Sequence, residues 1–225
     1  MTIGFRILPR QRFVDPETTR RFRDVPVACV SDVMSRMSAA GPSLRPLHAG
    51  GPLAGPALTV KTRPGDNLMI HKALKLAVPG DVIVVDAGGD LTNALVGELM
   101  LSYAMQSGVA GVVINGAVRD SGWVRAGNFP VFAAGITHRG PYKDGPGEIN
   151  VPIALGGMTI EPGDLIIGDE DGVLCVPFGE TEALYALARA KRDREAEILA
   201  STMDGQLDSK NWVDETLRSL GCGGV

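Results

Sequence analysis

The stretch Gly111–Gly122, GVVINGAVRDSG, decides the fold class of this chain. Its first half is a run of apolar residues, which is typical of a strand buried on both faces. Its second half is a turn of small residues that ends in adjacent Arg119 and Asp120. We therefore expect a buried strand that delivers two opposite charges to one edge of a sheet.

Two similar apolar runs flank this strand. DVIVVDAGG begins at Asp81, and FPVFAAG begins at Phe129. Helical patterns separate the three strands, namely VGELMLSYAMQSG from Val96 and the shorter DSGWVRAG. Because parallel strands cannot be joined by a tight turn, strands separated by helices indicate βαβ crossovers. The sequence predicts parallel pairing in an α/β core over residues 80–135.

The segments outside this core predict further layers. Helices are expected over about residues 15–40, and Asp66 is a suitable N-cap for the helix NLMIHKALKLA. Residues 149–177 contain short apolar runs broken by Gly-Gly, Pro-Gly and Asp-Gly, which predicts antiparallel hairpins or a small barrel-like layer. A helical extension follows over about residues 179–220. We expect one α/β domain over residues 1–225, of the swivelling β/β/α type, with a central mixed sheet, a small antiparallel layer and flanking helices.

The composition narrows the class of protein. Of the 225 residues, 44% are hydrophobic and 21% are charged, so a packed core is expected. A net charge of −4 without a long basic run offers no surface for nucleic acid. No apolar run approaches 18 residues and no secretory segment is present, which predicts a cytoplasmic protein without a membrane partner. Cys29, Cys175 and Cys222 are too far apart for a C-x-x-C zinc site.

In α/β sheets, ligands bind beyond the carboxyl ends of the strands, and the first such end precedes a helix. A Gly-Gly turn at residues 88–89 leads to the helix that begins near Val96. The backbone N–H groups of Leu99 and Met100 would point out of its first turn and form an anion site. Glu98 lies in the same turn, where its charge has an alternative role as a partner of the helix dipole.

The second strand end supplies Arg119 and Asp120. The forked donors of Arg119 suit a carboxylate or a carbonyl oxygen. Asp120 and Glu98 are hard oxygen ligands suited to Mg²⁺ or Mn²⁺, with waters in the remaining positions. The alternative is an exposed turn pair in which Asp120 caps the helix SGWVRAG. If the two strand ends meet, the site would hold a divalent metal and a 2-oxo acid.

The segments GDVIVVDAGG, VGELM, GVVINGAVRD and GDEDGVLCVP resemble a known family over about residues 25–200. This family includes the regulator of ribonuclease E activity A (RraA) and the class II pyruvate aldolases that act on 4-hydroxy-4-methyl-2-oxoglutarate. Its most specific element is G-x-x-R-D after an apolar strand. The resemblance implies that Arg119 and Asp120 are the aldolases' Arg-Asp pair. Regulators can lack the aspartate, so its presence favours the enzyme.

The same resemblance implies further site residues. The aldolases begin a helix with G-D-L-L, whose acid holds a metal-bound water and whose amides bind the substrate carboxylate. The corresponding residues here are Gly97, Glu98, Leu99 and Met100, so that glutamate replaces aspartate. The resemblance also implies a homo-oligomer, a trimer or a hexamer, in which Glu195 of a neighbouring subunit completes the site. A solvated helix face is the alternative for Glu195.

The implied activity is that of a divalent-metal-dependent lyase. Such an enzyme cleaves 4-hydroxy-2-oxo acids to pyruvate through a metal-stabilised enolate, with a water held by Glu98 as the base. Oxaloacetate decarboxylation needs the same enolate, so both activities are expected. The alternative is a non-catalytic regulator of ribonuclease activity that acts by protein–protein binding. A methyltransferase ranks behind both, because DAGGD is not followed by G-x-G-x-x-G.

Several polar residues near the predicted site have open roles. His71 and His138 are each compatible with lining the pocket or with ordinary packing. The long Gly-rich loop from Thr137 to Asn150 suits a lid or a subunit contact. Within it, Arg139 and Lys143 are candidates to bind a second carboxylate.

Overall fold

The computed structural model describes residues 2–206 and 210–224. The chain divides into two compact units, Met1–Arg189 and Ala190–Val225. The first unit contains every strand of the described chain, and the second contains the end of a long helix and one short helix. The prediction of a single domain over residues 1–225 stays a prediction.

The elements follow the order that the sequence predicts, with additional short strands. The strands are β1 Phe5–Ile7, β2 Arg45–Pro46, β3 Leu53–Thr62, β4 Val82–Asp86, β5 Ala94–Val96, β6 Gly111–Val118, β7 Val131–Ile136, β8 Gly147–Ile149, β9 Ile153–Leu155, β10 Met158–Ile160, β11 Leu165–Asp169 and β12 Gly172–Val176. The helices are α1 Pro16–Phe22, α2 Val27–Val33, α3 Leu68–Leu76, α4 Glu98–Gln106, α5 Ser121–Ala126, α6 Thr181–Met203 and α7 Asn211–Ser219.

The large sheet is mixed, as predicted. Its main path runs in the order β1-β8-β3-β4-β6-β7-β2. The pairs β3–β4, β4–β6 and β6–β7 are parallel, whereas β8 and β11 run antiparallel to β3. β12 extends the sheet beyond β11, and β9 and β10 form a separate antiparallel pair. The predicted α/β class, with its central mixed sheet, small antiparallel layer and flanking helices, is confirmed.

The central strands are apolar throughout because the sheet is covered on both faces. In β4, Val82 and Val84 pack into one hydrophobic core, whereas Ile83 and Val85 pack into the other. Side chains alternate between the two faces of a strand, so a strand between two cores must be apolar at every position. This is why the apolar runs in the sequence predicted buried strands correctly.

The short strand β5 is the element that determines the geometry of the site. It pairs in parallel with the last residues of β6, Ala94 with Ala117 and Val96 with Val118. The helix predicted to begin near Val96 therefore begins at Glu98, because the preceding residues belong to the sheet. The N–H of Arg119 donates to the Val96 carbonyl at 3.0 Å. Consequently, the two strand ends meet side by side.

The helices agree with the sequence apart from their ends. α1 and α2 lie within the predicted residues 15–40, and α6 begins at Thr181. Asn67, not Asp66, is the residue that directly precedes α3, although Asp66 Oδ1 accepts the N–H of Leu68 at 2.9 Å. Within the described residues, no helix combines the length and the apolar character needed to cross a membrane.

Candidate active site

Asp120 has an unusual backbone conformation at the end of β6. Its φ of 57° and ψ of 37° are left-handed, which costs a residue with a side chain about 1 kcal/mol or more. It precedes α5, but its side chain makes no capping hydrogen bond to that helix. Its Oδ2 instead accepts the N–H of Glu98 at 2.9 Å. The structure therefore contradicts the alternative in which the Asp120 carboxylate caps α5.

Gly97 permits the close approach of these two segments. A Cβ atom at this position would overlap the Asp120 carboxylate and would lie 2.8 Å from Arg119 Cγ and 3.0 Å from Arg119 Nε. No side chain fits between the start of α4 and the Arg-Asp pair. A glycine is thus required at position 97, because the two strand ends lie too close together for a side chain. Their contact makes the two predicted strand ends one site.

The first turn of α4 supplies backbone donors at this site. Glu98 N–H is occupied by Asp120, and Met100 N–H donates to the Gly97 carbonyl at 3.1 Å. Leu99 N–H has no acceptor within the described chain, as expected of a first-turn amide. Of the two amides predicted to bind an anion, Leu99 is therefore the one that remains available. The Glu98 side chain is exposed.

A cavity of about 350 Å³ opens beside Arg119. Its lining residues come from the starts of α3 and α4, from β5 and from the loop after β7: Asn67, His71, Ala94, Leu95, Val96, Gly97, Leu99, Met100, Arg119, Gly140, Pro141 and Lys143. This size is typical of a small-molecule site. None of these residues carries a carboxylate, whereas Arg119 and Lys143 are cationic. The lining therefore suits an anionic ligand.

Asp120 adjoins this cavity through Arg119, whose Nε lies 3.7 Å from Asp120 Oδ2. The Asp120 side chain is 41% exposed, and its Oδ1 has no partner in the part of the chain that the structure describes. Among the described residues, no three His, Cys, Asp or Glu side chains form a group that could hold a metal ion. Mg²⁺ is usually bound by one or two carboxylates with several waters. Asp120, whose carboxylate accepts the backbone N–H of Glu98 at 2.9 Å, fits that mode of binding with Glu98 as the neighbouring acid.

His71 contributes a ring from α3 to the cavity lining. Burial lowers its pKa below the ordinary value of 6.5, and the charges of Lys143 and Lys75 lower it further. His71 is therefore neutral at pH 7 and can serve as a hydrogen-bonding group rather than as a cation. This leaves Arg119 and Lys143 as the positive charges of the cavity.

Asn67 is a lining residue that the sequence reasoning missed. Its Nδ2 donates to the Leu95 carbonyl at 2.9 Å, but its Oδ1 is buried without a hydrogen-bond partner in the described chain. An unsatisfied buried acceptor is costly, so such a group is informative when it lies beside a cavity. The feature of the sequence that could have indicated Asn67 is its position at the predicted helix start, directly after Asp66.

The remaining predicted residues lie elsewhere. His138 and Arg139 are exposed and are not among the residues that line the cavity as described. Arg139 contributes only its backbone carbonyl, which accepts Ala94 N–H at 2.8 Å. Glu195 lies on α6 in the second unit, where its Oε1 pairs with Lys191 Nζ at 2.8 Å. Its contribution to a neighbouring subunit stays a prediction, as do the catalytic roles of Arg119, Asp120 and Glu98.

Comparisons with known proteins identify the family of this chain. The RraA-like family model, described as Aldolase/RraA, matches residues 27–175. A relative from Halalkalibacterium halodurans, provisionally named a 4-hydroxy-4-methyl-2-oxoglutarate aldolase, is 45% identical over 177 residues, which are 78% of this chain and 84% of the relative.

Two solved structures share the fold. An uncharacterized protein from Pseudomonas syringae pv. tomato DC3000 has a TM-score of 0.78 at 25% identity, covering 87% of this chain and 96% of that one. The RNA-processing inhibitor RraA from Thermus thermophilis has a TM-score of 0.63 at 32% identity, covering 68% and 93%. On the family match and the 45% identical relative, this chain belongs to the RraA-like (Aldolase/RraA) family.

Proposed function

We propose that this protein is a divalent-metal-dependent lyase that cleaves 4-hydroxy-2-oxo acids, of the 4-hydroxy-4-methyl-2-oxoglutarate type, and releases pyruvate. The observation that carries the proposal is the contact of Gly97 and Glu98 with Arg119 and Asp120 beside a cavity whose charged lining residues are Arg119 and Lys143. The name of the Halalkalibacterium relative supports the aldolase activity.

Substrate binding would use the helix start and the arginine. Leu99 N–H, at the positive end of α4, would donate a hydrogen bond to the carboxylate next to the keto group. The Arg119 guanidinium would donate to the keto oxygen, where negative charge develops as the C–C bond breaks. A donor aimed at such an oxygen typically contributes about 100- to 1,000-fold to the rate. Arg119 is therefore the main electrostatic group that the chain itself supplies.

The acidic residues would hold the metal and move the proton. Asp120 would bind the cation directly, oriented by the hydrogen bond from Glu98 N–H. When bound, Mg²⁺ or Mn²⁺ acts as a Lewis acid toward the 2-oxo acid. Glu98 would accept the proton of the 4-hydroxyl through a water. The bond between C3 and C4 then breaks, its electron pair passes to the pyruvate half as an enolate, and protonation at C3 gives pyruvate.

Oxaloacetate decarboxylation is a second reaction of the same site. Loss of CO₂ leaves the same enolate, so Arg119 would stabilise the same oxygen. This substrate has no 4-hydroxyl proton to remove, and Glu98 would therefore contribute less. We expect decarboxylation to depend on Arg119 and on the metal, and to be less sensitive to Glu98.

A regulator that acts by binding an RNA-processing enzyme is the second candidate. It is supported by the likeness to the Thermus protein, whose description is an RNA-processing inhibitor. A protein-binding surface needs neither an open carboxylate oxygen nor a left-handed Asp120. These two features favour the lyase.

The test is a pyruvate assay on chelator-treated protein. Mg²⁺ or Mn²⁺ would be titrated with 4-hydroxy-4-methyl-2-oxoglutarate or oxaloacetate, and pyruvate would be followed through lactate dehydrogenase. After subtraction of a blank without protein, we expect no pyruvate without metal and saturable production with it. Absence of turnover with both substrates and both metals would reject the lyase and leave the regulator.

A further inference from the structure

One wall of the cavity is a loop without regular structure. Gly140, Pro141 and Lys143 line the cavity from the segment between β7 and β8. A Cβ atom at Gly140 would lie only 3.5 Å from Arg119 Nη1, so the loop passes close to the proposed catalytic arginine. Exposed loops are mobile unless their backbone is tied down. The contacts that hold this loop therefore determine the shape of the site.

Asp66 is the buried group that ties the loop down. Its side chain is 0% exposed, and its Oδ2 accepts the N–H groups of Asp144 at 2.7 Å and Gly145 at 2.9 Å. Its Oδ1 accepts the N–H of Leu68 at the start of α3. Arg63 Nη2 lies 3.2 Å from Oδ2 and balances the charge. One carboxylate thus joins the loop to the helix that carries His71.

Backbone bonds around Asp66 keep the two segments in register. Tyr142 N–H donates to the Gly65 carbonyl at 2.8 Å, and Asn67 N–H donates to the Tyr142 carbonyl at 3.0 Å. Capping α3 would need only the bond to Leu68. The two bonds to residues 144 and 145 are charge-assisted and span 78 and 79 positions of the chain. Asp66 therefore does more than cap a helix.

Lys143 is the loop side chain that these contacts hold at the cavity. The proposed function uses Arg119 at the keto oxygen, and His71 is neutral at pH 7. Lys143 is therefore the remaining cation in the cavity lining as described, and it is available for a second carboxylate.

We propose that Asp66 is a positioning residue that sets the specificity of the site for dicarboxylic substrates, by holding the loop so that Lys143 faces the distal carboxylate. This inference rests on the proposed function. It predicts that Asp66 acts on substrate affinity through Lys143 and leaves bond cleavage at Arg119 and Asp120 nearly unchanged.

The test compares two substrates in Asp66→Asn. Asparagine has one oxygen, so its NH₂ group must face at least one of the N–H groups that the carboxylate now accepts. We expect KM for 4-hydroxy-4-methyl-2-oxoglutarate to rise about tenfold, with kcat within about twofold of the parent. KM for 4-hydroxy-2-oxopentanoate, which has no distal carboxylate, should change less than about twofold. Hydrogen exchange of residues 140–146 should become faster.

Asp164→Asn is the matched control. Asp164 is also buried, and it accepts the N–H groups of Glu161 at 3.0 Å and Phe178 at 2.9 Å beside Arg12. None of these four residues lines the cavity in the described structure. This variant should lose stability as Asp66→Asn does, but it should keep the parent ratio of the two KM values. If Asp66→Asn does not fold, Arg63→Gln removes the exposed partner of Asp66, together with its contact on the Tyr142 ring, and should shift the ratio in the same direction by a smaller factor.

The outcomes separate the two proposals. An active parent whose KM ratio and loop exchange are both unchanged in the Asp66→Asn variant would overturn the positioning role. A parent that turns over neither substrate rejects the proposed lyase instead. In that case the loop exchange alone decides the positioning role, and equal exchange in parent and variant would overturn it.

Discussion

Each end of the central parallel strands carries an aspartate, and the two carboxylates differ in burial and in hydrogen bonding. At the amino end of β4, Asp81 is fully buried: its Oδ1 accepts Arg10 Nη1 at 2.6 Å, and its Oδ2 accepts Val78 N–H at 2.9 Å. At the carboxyl end of β6, Asp120 is 41% exposed and has one oxygen bound to Glu98 N–H. Both oxygens of the Asp81 carboxylate accept hydrogen bonds from the protein. The Asp120 carboxylate is held through one oxygen, and its other oxygen can bind a ligand.

This difference separates a structural group from a ligand-binding group. A buried charge must be paired and hydrogen-bonded, so the Asp81 network stabilises the fold and leaves nothing for a ligand. Asp120 keeps an open oxygen and a left-handed backbone that costs free energy, and such strain is concentrated at functional sites. Substitutions at the two ends should therefore change different properties: stability at the amino end and activity at the carboxyl end.

Asp120→Asn should produce the largest effect. Asparagine can still accept Glu98 N–H, but it removes the negative charge proposed to bind the cation. We expect kcat/KM for pyruvate release to fall about 1,000-fold, the upper range for loss of one electrostatic group, while the free energy of unfolding changes by less than about 0.5 kcal/mol. Asp169→Asn is the control, because Asp169 accepts backbone N–H groups of Val27 and Asp171 away from the cavity. Equal activity of Asp120→Asn and the parent at saturating metal would remove Asp120 from the proposed metal site.

Arg10→Met should have the converse effect at the other end. It leaves the buried Asp81 charge without its cation, and breaking such a pair costs about 3 kcal/mol. Urea denaturation should show this loss, whereas kcat per folded molecule should stay at the parent value. Arg20→Met is the control, since Arg20 pairs with Glu17 at an exposed site where the loss should be below about 0.5 kcal/mol. Similar losses in both variants would mean that burial does not increase the contribution of the Arg10–Asp81 ion pair to stability.

Gly97→Ala tests whether the two strand ends must touch. The added methyl would overlap the Asp120 carboxylate, so Asp120 and Arg119 would both have to move. A displacement of this kind near 1 Å typically lowers the rate about 100-fold. Gly122→Ala is the matched control, because a Cβ atom there meets nothing within 4 Å. The coupled pyruvate assay on both variants checks this, and parent-level activity of Gly97→Ala would show that the close packing is not needed.

The sequence predicted the parts of the fold whose cause is local. Strands β4, β6 and β7 are apolar at consecutive positions because both of their faces are buried, and this pattern is visible without any knowledge of partners. The helix after β4 begins two residues later than the sequence predicts, because β5 forms only by pairing with the distant end of β6. β1 was missed for the same reason, since its partner β8 lies about 140 positions away.

The candidate site could be predicted in its composition but not in its contacts. Opposite charges at the end of a buried strand, and an acid at a helix start, indicated Arg119, Asp120 and Glu98 correctly as neighbours. The hydrogen bond from Glu98 N–H to Asp120 depends on the left-handed backbone of Asp120, which no residue pattern reveals. Likewise, the sequence predicts only a helix cap at Asp66, because the residues that it also binds, 144 and 145, lie 78 and 79 positions away in the chain.

His71→Gln should produce the smallest effect, which is a change in how the stability of the protein depends on pH. Burial and two nearby lysines lower the pKa of His71 in the folded state, so the unfolded chain binds this proton at a higher pH than the folded one. As the pH falls below about 6.5, stability is therefore lost until the folded imidazole also becomes protonated. The variant lacks this loss, so its free energy of unfolding, measured by denaturation at pH 7 and pH 5, should depend less on pH than that of the parent. His138→Gln, at an exposed position outside the cavity lining, is the matched control variant. An anionic ligand such as oxalate should offset the charge of Lys143 and raise the pKa of His71 in an NMR titration; an unchanged pKa would indicate that the ligand does not bind beside this cation.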